Sequence, residues 1–150
     1  MTDDPLAFQL FTEIGIIDQL GGAAFERALP AGLTRAQFGV LQHLSRRARP
    51  SQSPGTIAAA MQVSRATMTS TLGRLAKRGL VAIEDDPADG RGKQVRLTDA
   101  GETLRQACIA AVLPLLPLVG QALTAAEQDQ MLGLLRKLRE VLDTARDAAP

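Results

Sequence analysis

The stretch SRATMTSTLGRLAKRGL, from Ser64 to Leu80, decides how this sequence is interpreted. Five of its first eight residues carry hydroxyl groups, although serine and threonine are mediocre helix formers. On a helical wheel, Met68, Leu72 and Leu75 share one side, which has to enter a core. The opposite side is small, polar and positive, and the stretch contains no acidic residue. A surface helix kept only for solubility usually mixes both signs of charge, so the wheel predicts a helix that faces a negatively charged partner.

DNA is a partner that fits this outward side. A helix that enters the major groove has to be narrow, to donate to phosphates and to offer short groups to base edges. We therefore predict DNA contacts from the following residues of this side and of the helix start: Ser64, Arg65, Ala66, Thr67, Ser70, Arg74 and Lys77. Among the hydroxyl groups, Thr67 and Ser70 are favoured for these contacts. Thr69 lies at the margin and Thr71 turns back toward the protein, while a merely solvated basic face is the alternative.

The segments on either side of this stretch predict a helix-turn-helix followed by a hairpin. Ser53 and Pro54 form an N-cap and a first-turn proline, which open a short helix before the tight turn that leads to Ser64. Gly79 is a C-cap, and beyond it residues 80–84 and 93–98 alternate as two short strands. The loop between the strands, DDPADGRG, is longer than a two-residue turn.

Helical periodicity also covers the chain on both sides of this core. The first predicted helix runs from Pro5 to about Ala28, and the second opens at a capping box, TRAQ, that begins with Thr34. The core face of the second helix is expected to comprise Phe38, Leu41, Leu44 and Ala48. Residues 99–112 are predicted to be helical, with Pro114 and Pro117 ending or kinking that helix. A capping box at Thr124 and Glu127 opens the last helix. The predicted order is four helices, a hairpin and two helices.

Composition places the chain among globular proteins. Its 150 residues suit one domain, and 45% of them are hydrophobic. One cysteine excludes an internal disulfide framework and agrees with a reducing cytoplasm. The N-terminus begins with two acidic residues and no basic region, so no secretory signal is expected. The longest apolar run, residues 110–120, is too short to span a bilayer. We therefore expect a soluble, cytoplasmic protein with no membrane partner.

The net charge of +1 hides an uneven distribution. Residues 46–96 contain ten basic and four acidic side chains, which gives this segment a net charge of +6. Residues 1–45 carry −3 and residues 97–150 carry −2. A basic middle between acidic flanks is typical of a polyanion-binding module inside a larger scaffold.

Residues 53–101 resemble the winged-helix core of MarR-type transcriptional regulators. The most specific parts of the resemblance are GLV at 79–81, D-P-x-D-x-R at 86–91 and L-T-x-x-G at 97–101. The resemblance implies a mainly α-helical fold with a small β-hairpin wing, in which a winged helix-turn-helix core is flanked by N- and C-terminal dimerisation helices. It implies one MarR-like domain over residues 1–150. Within that domain, residues 34–98 would form the DNA-binding lobe, and residues 5–30 and 99–147 the dimerisation helices.

The same resemblance assigns roles to the wing. Arg91 is expected to reach the minor groove, whose concentrated negative potential attracts a guanidinium group. Asp89 is expected to orient Arg91 through a salt bridge, and Lys93 completes the predicted DNA contacts; an ordinary exposed turn pair is the alternative for Asp89 and Arg91. The chain departs from the family pattern because Ala82, Ile83, Glu84 and Gly90 stand where arginines are frequent. Ser70 likewise replaces a frequent arginine in the helix. We therefore expect fewer phosphate contacts and weaker non-specific DNA binding than in a typical member.

The remaining reactive residues give little support for other chemistry. His43 is the only histidine, and it is expected to be exposed or at an interface, with a ligand-pocket role as the alternative. Cys108 is expected to be a buried structural thiol rather than an oxidant sensor. Neither the spacing of a metal site nor a catalytic constellation is present, so no metal, no cofactor and no enzyme activity are expected. The ligand-binding residues remain unassigned, although four phenylalanines could line an apolar cavity: Phe8, Phe11, Phe25 and Phe38.

The sequence as a whole predicts a homodimeric DNA-binding transcriptional regulator. It is expected to act as a repressor that a small-molecule effector releases from a pseudo-palindromic operator. Its partners would be double-stranded DNA, a second copy of the chain and the effector. Two alternatives stay open, namely a winged-helix protein-interaction module without direct DNA binding and a redox-responsive regulator that uses Cys108.

Overall fold

The computed structural model describes residues 4–30, 32–46 and 51–147. The helices and strands are α1 (Leu6–Ala28), α2 (Arg35–Arg46), α3 (Pro54–Met61), α4 (Arg65–Lys77), β1 (Val81–Asp85), β2 (Lys93–Leu97), α5 (Asp99–Val112), α6 (Leu116–Ala122) and α7 (Ala125–Asp147). The described residues thus form a mainly α-helical fold with an antiparallel β-hairpin, which confirms the predicted fold class. The chain divides into two compact units, one ending at Leu113 and the other beginning at Pro114.

Capping side chains set the helix starts, and for this reason the starts could be predicted. Thr34 and Gln37 exchange two hydrogen bonds of 3.1 Å between backbone and side chain, as a capping box requires. Ser53 Oγ accepts a 3.1 Å bond from the backbone N–H of the third residue of α3. Ser64 Oγ accepts a 3.0 Å bond from the third residue of α4. Each of these bonds satisfies a backbone donor that the helix itself leaves free.

The core of the first unit lies where α2, α3 and α4 meet the hairpin and α5. Its buried residues are Leu29, Leu33, Val40, Leu41, Leu44, Ile57, Ala58, Met68, Leu72, Leu75, Leu80, Val81, Val95 and Cys108. The predicted core faces of α2 and α4 are therefore confirmed at the positions that the structure describes. Phe38 is only partly buried and packs against this core, and Ala48 lies outside the described residues.

The hairpin, called the wing below (residues 81–97), is joined to the segment before α3 by an isolated β-bridge. In the wing, β1 pairs with β2 in the register Val81↔Leu97 and Asp85↔Lys93. Gln52 bridges to Val95 through two backbone hydrogen bonds of 3.0 and 2.8 Å. The side-chain Oε1 of Gln52 lies 3.0 Å from His43 Nε2, so His43 is half-buried rather than exposed. The wing is thereby connected to α2.

Thr98 joins α4, the wing and α5. Its hydroxyl donates a 2.6 Å hydrogen bond to the carbonyl of Gly79, which has a left-handed φ of 70° at the end of α4. The same hydroxyl accepts a 3.0 Å bond from the backbone N–H of Gly101. Gly101 is buried, and a Cβ there would lie 2.0 Å from the carbonyl oxygen of Leu80. The GLV and L-T-x-x-G motifs are therefore two halves of one junction.

A polar network links α5 to α2. Arg105 forms a 2.7 Å ion pair with Glu102 and donates a 2.9 Å hydrogen bond to Gln42 of α2. The hydrogen bonds from Arg105, and then that from Gln106, lower the pKa of Glu102 to about 2. The Glu102 carboxylate therefore stays ionised at any ordinary pH and keeps Arg105 directed toward α2.

Long apolar faces remain exposed in the single chain. None of the described residues of α1 is buried, and Leu6 and Leu20 of its apolar stripe are 81% and 70% exposed. In the second unit, Leu134 and Val141 of α7 are each 62% exposed. Exposed apolar surface of this extent is typical of proteins that bind another macromolecule.

The prediction for residues 113–122 was incomplete. Pro114 lies in a 3-10 turn, Leu113–Leu115, as expected for a helix end, but Pro117 lies in the first turn of the additional helix α6. Proline is tolerated in the first turn because the backbone N–H that it lacks would have had no partner there.

One helical stretch of the described chain, Asp99–Ala122, is long and apolar enough to cross a membrane by length and composition. Its most apolar window has a mean hydropathy of 1.5 and is 6% buried. The uninterrupted apolar run at residues 110–120 is only a part of this longer helical stretch. Length and composition alone do not distinguish such a helix from the core helix of a soluble protein, which passes the same test.

Candidate DNA-binding interface

The helix α4 presents two different sides. Met68, Leu72 and Leu75 are at most 2% exposed and fix the helix on the core. The seven residues predicted on the other side and at the helix start are all exposed. The structure therefore leaves the helix start and the side of α4 away from the core accessible.

The hydroxyl groups of α4 divide into those that bond within the helix and one that does not. Thr69 donates to the carbonyl of Arg65 at 2.8 Å, and Thr71 donates to that of Thr67 at 3.0 Å. Ser64 donates to Thr67 Oγ1 at 2.9 Å in addition to its capping bond. In the part of the chain that the structure describes, Ser70 has no hydrogen-bond partner for its hydroxyl. Ser70 is thus the hydroxyl most available to a base edge, whereas the hydroxyl of Thr67, which the wheel favours as well, already accepts a hydrogen bond from Ser64. The contact of either residue with DNA stays a prediction.

The basic residues of α4 also have no ion-pair partner among the described residues. Among the described residues, no acidic side chain forms an ion pair with Arg65, Arg74 or Lys77. All three are exposed. Because no protein carboxylate has to be displaced, these cations can bind phosphates directly.

Two aspartates shape the loop at the tip of the wing. Asp86 accepts hydrogen bonds from the backbone N–H of Ala88 at 2.9 Å and from Gln94 Nε2 at 3.0 Å. These bonds, the Ala88 bond first, lower the pKa of Asp86. Asp89 Oδ1 accepts a 3.1 Å bond from the backbone N–H of Arg91, two residues further on. Both arrangements are local turns closed by an aspartate side chain.

The salt bridge implied between Asp89 and Arg91 is not formed within the described residues. Asp89 instead holds the backbone of Arg91, and no carboxylate there pairs with the exposed guanidinium group. A backbone bond two residues away closes the turn with little loss of side-chain entropy, whereas an exposed ion pair would have to order a long side chain. Arg91 is therefore placed at the tip by its backbone while its guanidinium group stays available.

The other two cations of the wing are paired. Lys93 forms an ion pair with Asp85, which lies directly opposite it in the strand register. Arg96 pairs with Glu84 at 3.1 Å. Lys93 is predicted to contact DNA, yet in this structure its ammonium group is ion-paired with the carboxylate of Asp85. The acidic residues are evident in the sequence, but their pairing depends on the strand register, which the sequence does not show directly.

The residues considered for other chemistry do not form a second site. Cys108 is fully buried, and this burial raises the pKa of its thiol, which disfavours the reactive thiolate. No group of three metal-ligating side chains occurs among the residues that the structure describes. Phe8 and Phe11 of the four phenylalanines are exposed rather than part of a cavity.

A cleft of about 900 Å³ lies between α1 and α2 and reaches the end of α3. The rings of Phe25 and Phe38 form part of its wall, with centroids 5.1 Å apart. Arg35, which is ion-paired with Asp18, stands on another side. The cleft also includes Met61 and Val63, which flank the turn before α4.

Comparisons with known proteins agree with this geometry. The MarR family model matches residues 31–92. The transcriptional regulator HosA of Escherichia coli is 30% identical over 132 residues, which cover 85% of this chain and 93% of that protein.

Two solved structures share the fold. A mutant of Escherichia coli MarR complexed with operator DNA has a TM-score of 0.75 and 28% identity, and the match covers 87% of this chain and 93% of that one. Bordetella bronchiseptica BpsR, whose DNA binding is regulated by 6-hydroxynicotinic acid, has a TM-score of 0.74 and 30% identity over 87% of this chain and 98% of that one. With its winged helix-turn-helix and these similarities, the chain belongs to the MarR family of DNA-binding transcriptional regulators, which are not enzymes.

Proposed function

We propose that this protein is a homodimeric, cytoplasmic repressor that binds a pseudo-palindromic operator through α4 and Arg91. The observation that carries the proposal is that, among the described residues, the exposed cations of α4 and Arg91 at the wing tip have no carboxylate partner. The proposed DNA contacts on α4 are Ser64, Arg65, Ala66, Thr67, Ser70, Arg74 and Lys77. In the wing, Arg91 would enter the minor groove, Asp89 would hold its backbone, and Lys93 would contact a phosphate once Asp85 releases it.

The exposed apolar faces support a second copy as the partner of the helices outside the DNA-binding lobe. The lobe is proposed to comprise residues 34–98 and the dimerisation helices residues 5–30 and 99–147. Leu6 and Leu20 of α1 and Leu134 of α7 would leave water in a dimer, which stabilises association. The same association would also cover the apolar stretch 99–122, which is 6% buried over its most apolar window in the single chain. Two chains per operator duplex are therefore expected at saturation.

Substitution of Arg74 tests whether α4 faces DNA. Arg74→Ala is expected to weaken binding to the operator because it removes an unpaired cation from the outward side. If Arg74 binds a phosphate, the slope of log K against log salt becomes shallower by about 0.9 for each phosphate that the variant leaves unneutralised. If it reads a base, affinity falls by about 1–3 kcal/mol with little change in slope. Fluorescence anisotropy titrations over a salt series distinguish the two.

Arg136→Ala is the matched control, since it removes the same charge from an exposed position of α7. We expect the control to bind as the wild type does. Wild-type affinity of Arg74→Ala would show that the outward side of α4 is not the interface. Failure of the wild type to bind any duplex at low salt would favour the protein-interaction alternative.

We place the effector in the cleft between α1 and α2. Its walls are mostly apolar, and Met61 and Val63 connect it to the turn before α4. An acid group of the ligand would bind Arg35 by displacing Asp18, which is paired with it in the free protein. Gly39 helps to keep the cleft open, because a Cβ at this position would lie 2.8 Å from the Met61 methyl group. A bound ring would press on this turn and so disfavour the DNA-bound position of α4.

The probe for this site is 6-hydroxynicotinic acid, which regulates DNA binding by the similar protein BpsR. A saturating amount is expected to weaken operator binding by the wild type about fivefold or more. Gly39→Leu should fill the cleft and abolish this response, which is measured against the operator affinity of the same variant without the ligand. Gly15→Ala, at a helical glycine with open space around it, should respond as the wild type does. An undiminished response of Gly39→Leu would place the effector elsewhere, and no response of the wild type would contradict this ligand class.

A further inference from the structure

The four carboxylates of the wing differ in what they bind: two accept hydrogen bonds from backbone N–H groups, and two pair with basic side chains. Asp86 and Asp89 accept backbone N–H groups and close the loop. Glu84 and Asp85 accept hydrogen bonds only from the side chains of Arg96 and Lys93 among the described residues. The loop geometry therefore does not depend on Glu84 or Asp85.

These two ion pairs also contribute little to the stability of the hairpin. The four side chains involved are between 48% and 71% exposed, and exposed pairs are weak because water and salt screen them. Glu84 and Asp85 instead have a clear effect on the net charge of the wing. The wing contains four acidic and three basic side chains and so carries a net charge of −1, in a part of the protein that is proposed to approach a polyanion.

We infer that Glu84 and Asp85 are specificity-determining residues that compete with DNA phosphates for Arg96 and Lys93. The inference rests on the proposed DNA interface. A phosphate can bind Lys93 or Arg96 only after it displaces a carboxylate that is already in place, whereas Arg91 and the cations of α4 need no such exchange. The wing therefore adds little to affinity for an arbitrary sequence.

This arrangement affects unrelated sequences more than the operator. Sequence-independent binding is almost entirely electrostatic, and the protein can shift on the duplex to form as many phosphate contacts as it has free cations. In the operator complex, base contacts of α4 fix the position of the protein on the duplex. An additional free cation therefore raises affinity only if a phosphate lies within its reach at that position. Neutralising the carboxylates should therefore narrow the difference between operator and unrelated DNA.

The test is the double variant Glu84→Gln, Asp85→Asn in the full-length protein. The probes are a random-sequence duplex pool and the duplex that the wild type selects from that pool. For the random pool we expect affinity to rise about tenfold and the salt slope to steepen by about 0.9 for each cation released. For the selected duplex we expect a smaller rise, so that the ratio of the two affinities falls.

Two comparisons make the result specific. Adding Lys93→Gln and Arg96→Gln to the double variant should abolish the gain in affinity for the random pool, because the released cations are then gone. Asp4→Asn removes a negative charge from an exposed position outside the wing and outside the proposed dimerisation helices, and it should have little effect on either affinity. Unchanged affinity and slope for the random pool, or a loss of affinity, would overturn the inference while leaving the DNA interface standing. If the wild type binds neither probe, the proposed function fails and the inference fails with it.

Discussion

Gly101→Ala is expected to lower the free energy of unfolding by about 3 kcal/mol. Helix propensity alone predicts the opposite, because alanine is better than glycine inside a helix by about 1 kcal/mol. Packing decides the sign, since the new Cβ would lie 2.0 Å from the carbonyl oxygen of Leu80 and 2.7 Å from Leu97 Cδ1. The carbonyl of Leu80 is backbone and accepts a hydrogen bond from the N–H of Thr98, so it cannot move aside without breaking the junction.

Chemical denaturation followed by circular dichroism measures this loss. Gly73→Ala is the matched control, because Gly73 also lies inside a helix but a Cβ there would meet no atom within 4 Å. The control should be as stable as the wild type or slightly more stable. An unchanged midpoint for Gly101→Ala would mean that α5 can move away from Leu80 at little cost, and the junction would then not hold α4, the wing and α5 together.

Arg91→Ala is expected to weaken operator binding by about 1–3 kcal/mol, or about five- to 150-fold, without unfolding the protein. The guanidinium group of Arg91 is exposed and unpaired among the described residues, and Asp89 holds its backbone at the wing tip. A guanidinium group in a narrow minor groove gains from the concentrated negative potential there. Anisotropy titrations of the selected duplex measure the change.

Two further wing variants separate Arg91 from its neighbours. Arg91→Lys keeps the charge but not the planar donor geometry, so it should restore only part of the affinity. Arg96→Ala removes a cation that Glu84 already neutralises, and its effect should be within about twofold. Equal losses for Arg91→Ala and Arg96→Ala would show that the wing acts through its total charge, and wild-type affinity of Arg91→Ala would remove the wing from the interface.

Features that depend on neighbouring residues could be predicted from this sequence. The caps at Ser53, Ser64 and Thr34 lie within three residues of the groups that they bond, and for this reason the helix starts were predicted correctly. The buried side of α4 follows from helical geometry alone. The additional helix α6 was missed because Pro117 was interpreted as a breaker, although proline is also compatible with a first turn.

Features that depend on distant residues could not be predicted in this way. Thr98 bonds to Gly79, which is 19 residues away, and nothing local in either motif indicates that they meet. The pairing of Lys93 with Asp85 requires the strand register, and the position of His43 beside Gln52 requires the packing of α2 on the wing. The seven predicted residues of α4 and its N-cap are all exposed, but their contacts with DNA stay a prediction.

The most direct test of the central claim is a titration of the wild type against its selected duplex and the random pool over a range of salt concentrations. The proposed interface predicts two chains per selected duplex at saturation, affinity at least about 10³-fold higher than for the random pool, and an affinity that decreases linearly with salt on a log–log plot. Equal affinity for both probes, or the absence of binding at every salt concentration, would contradict it.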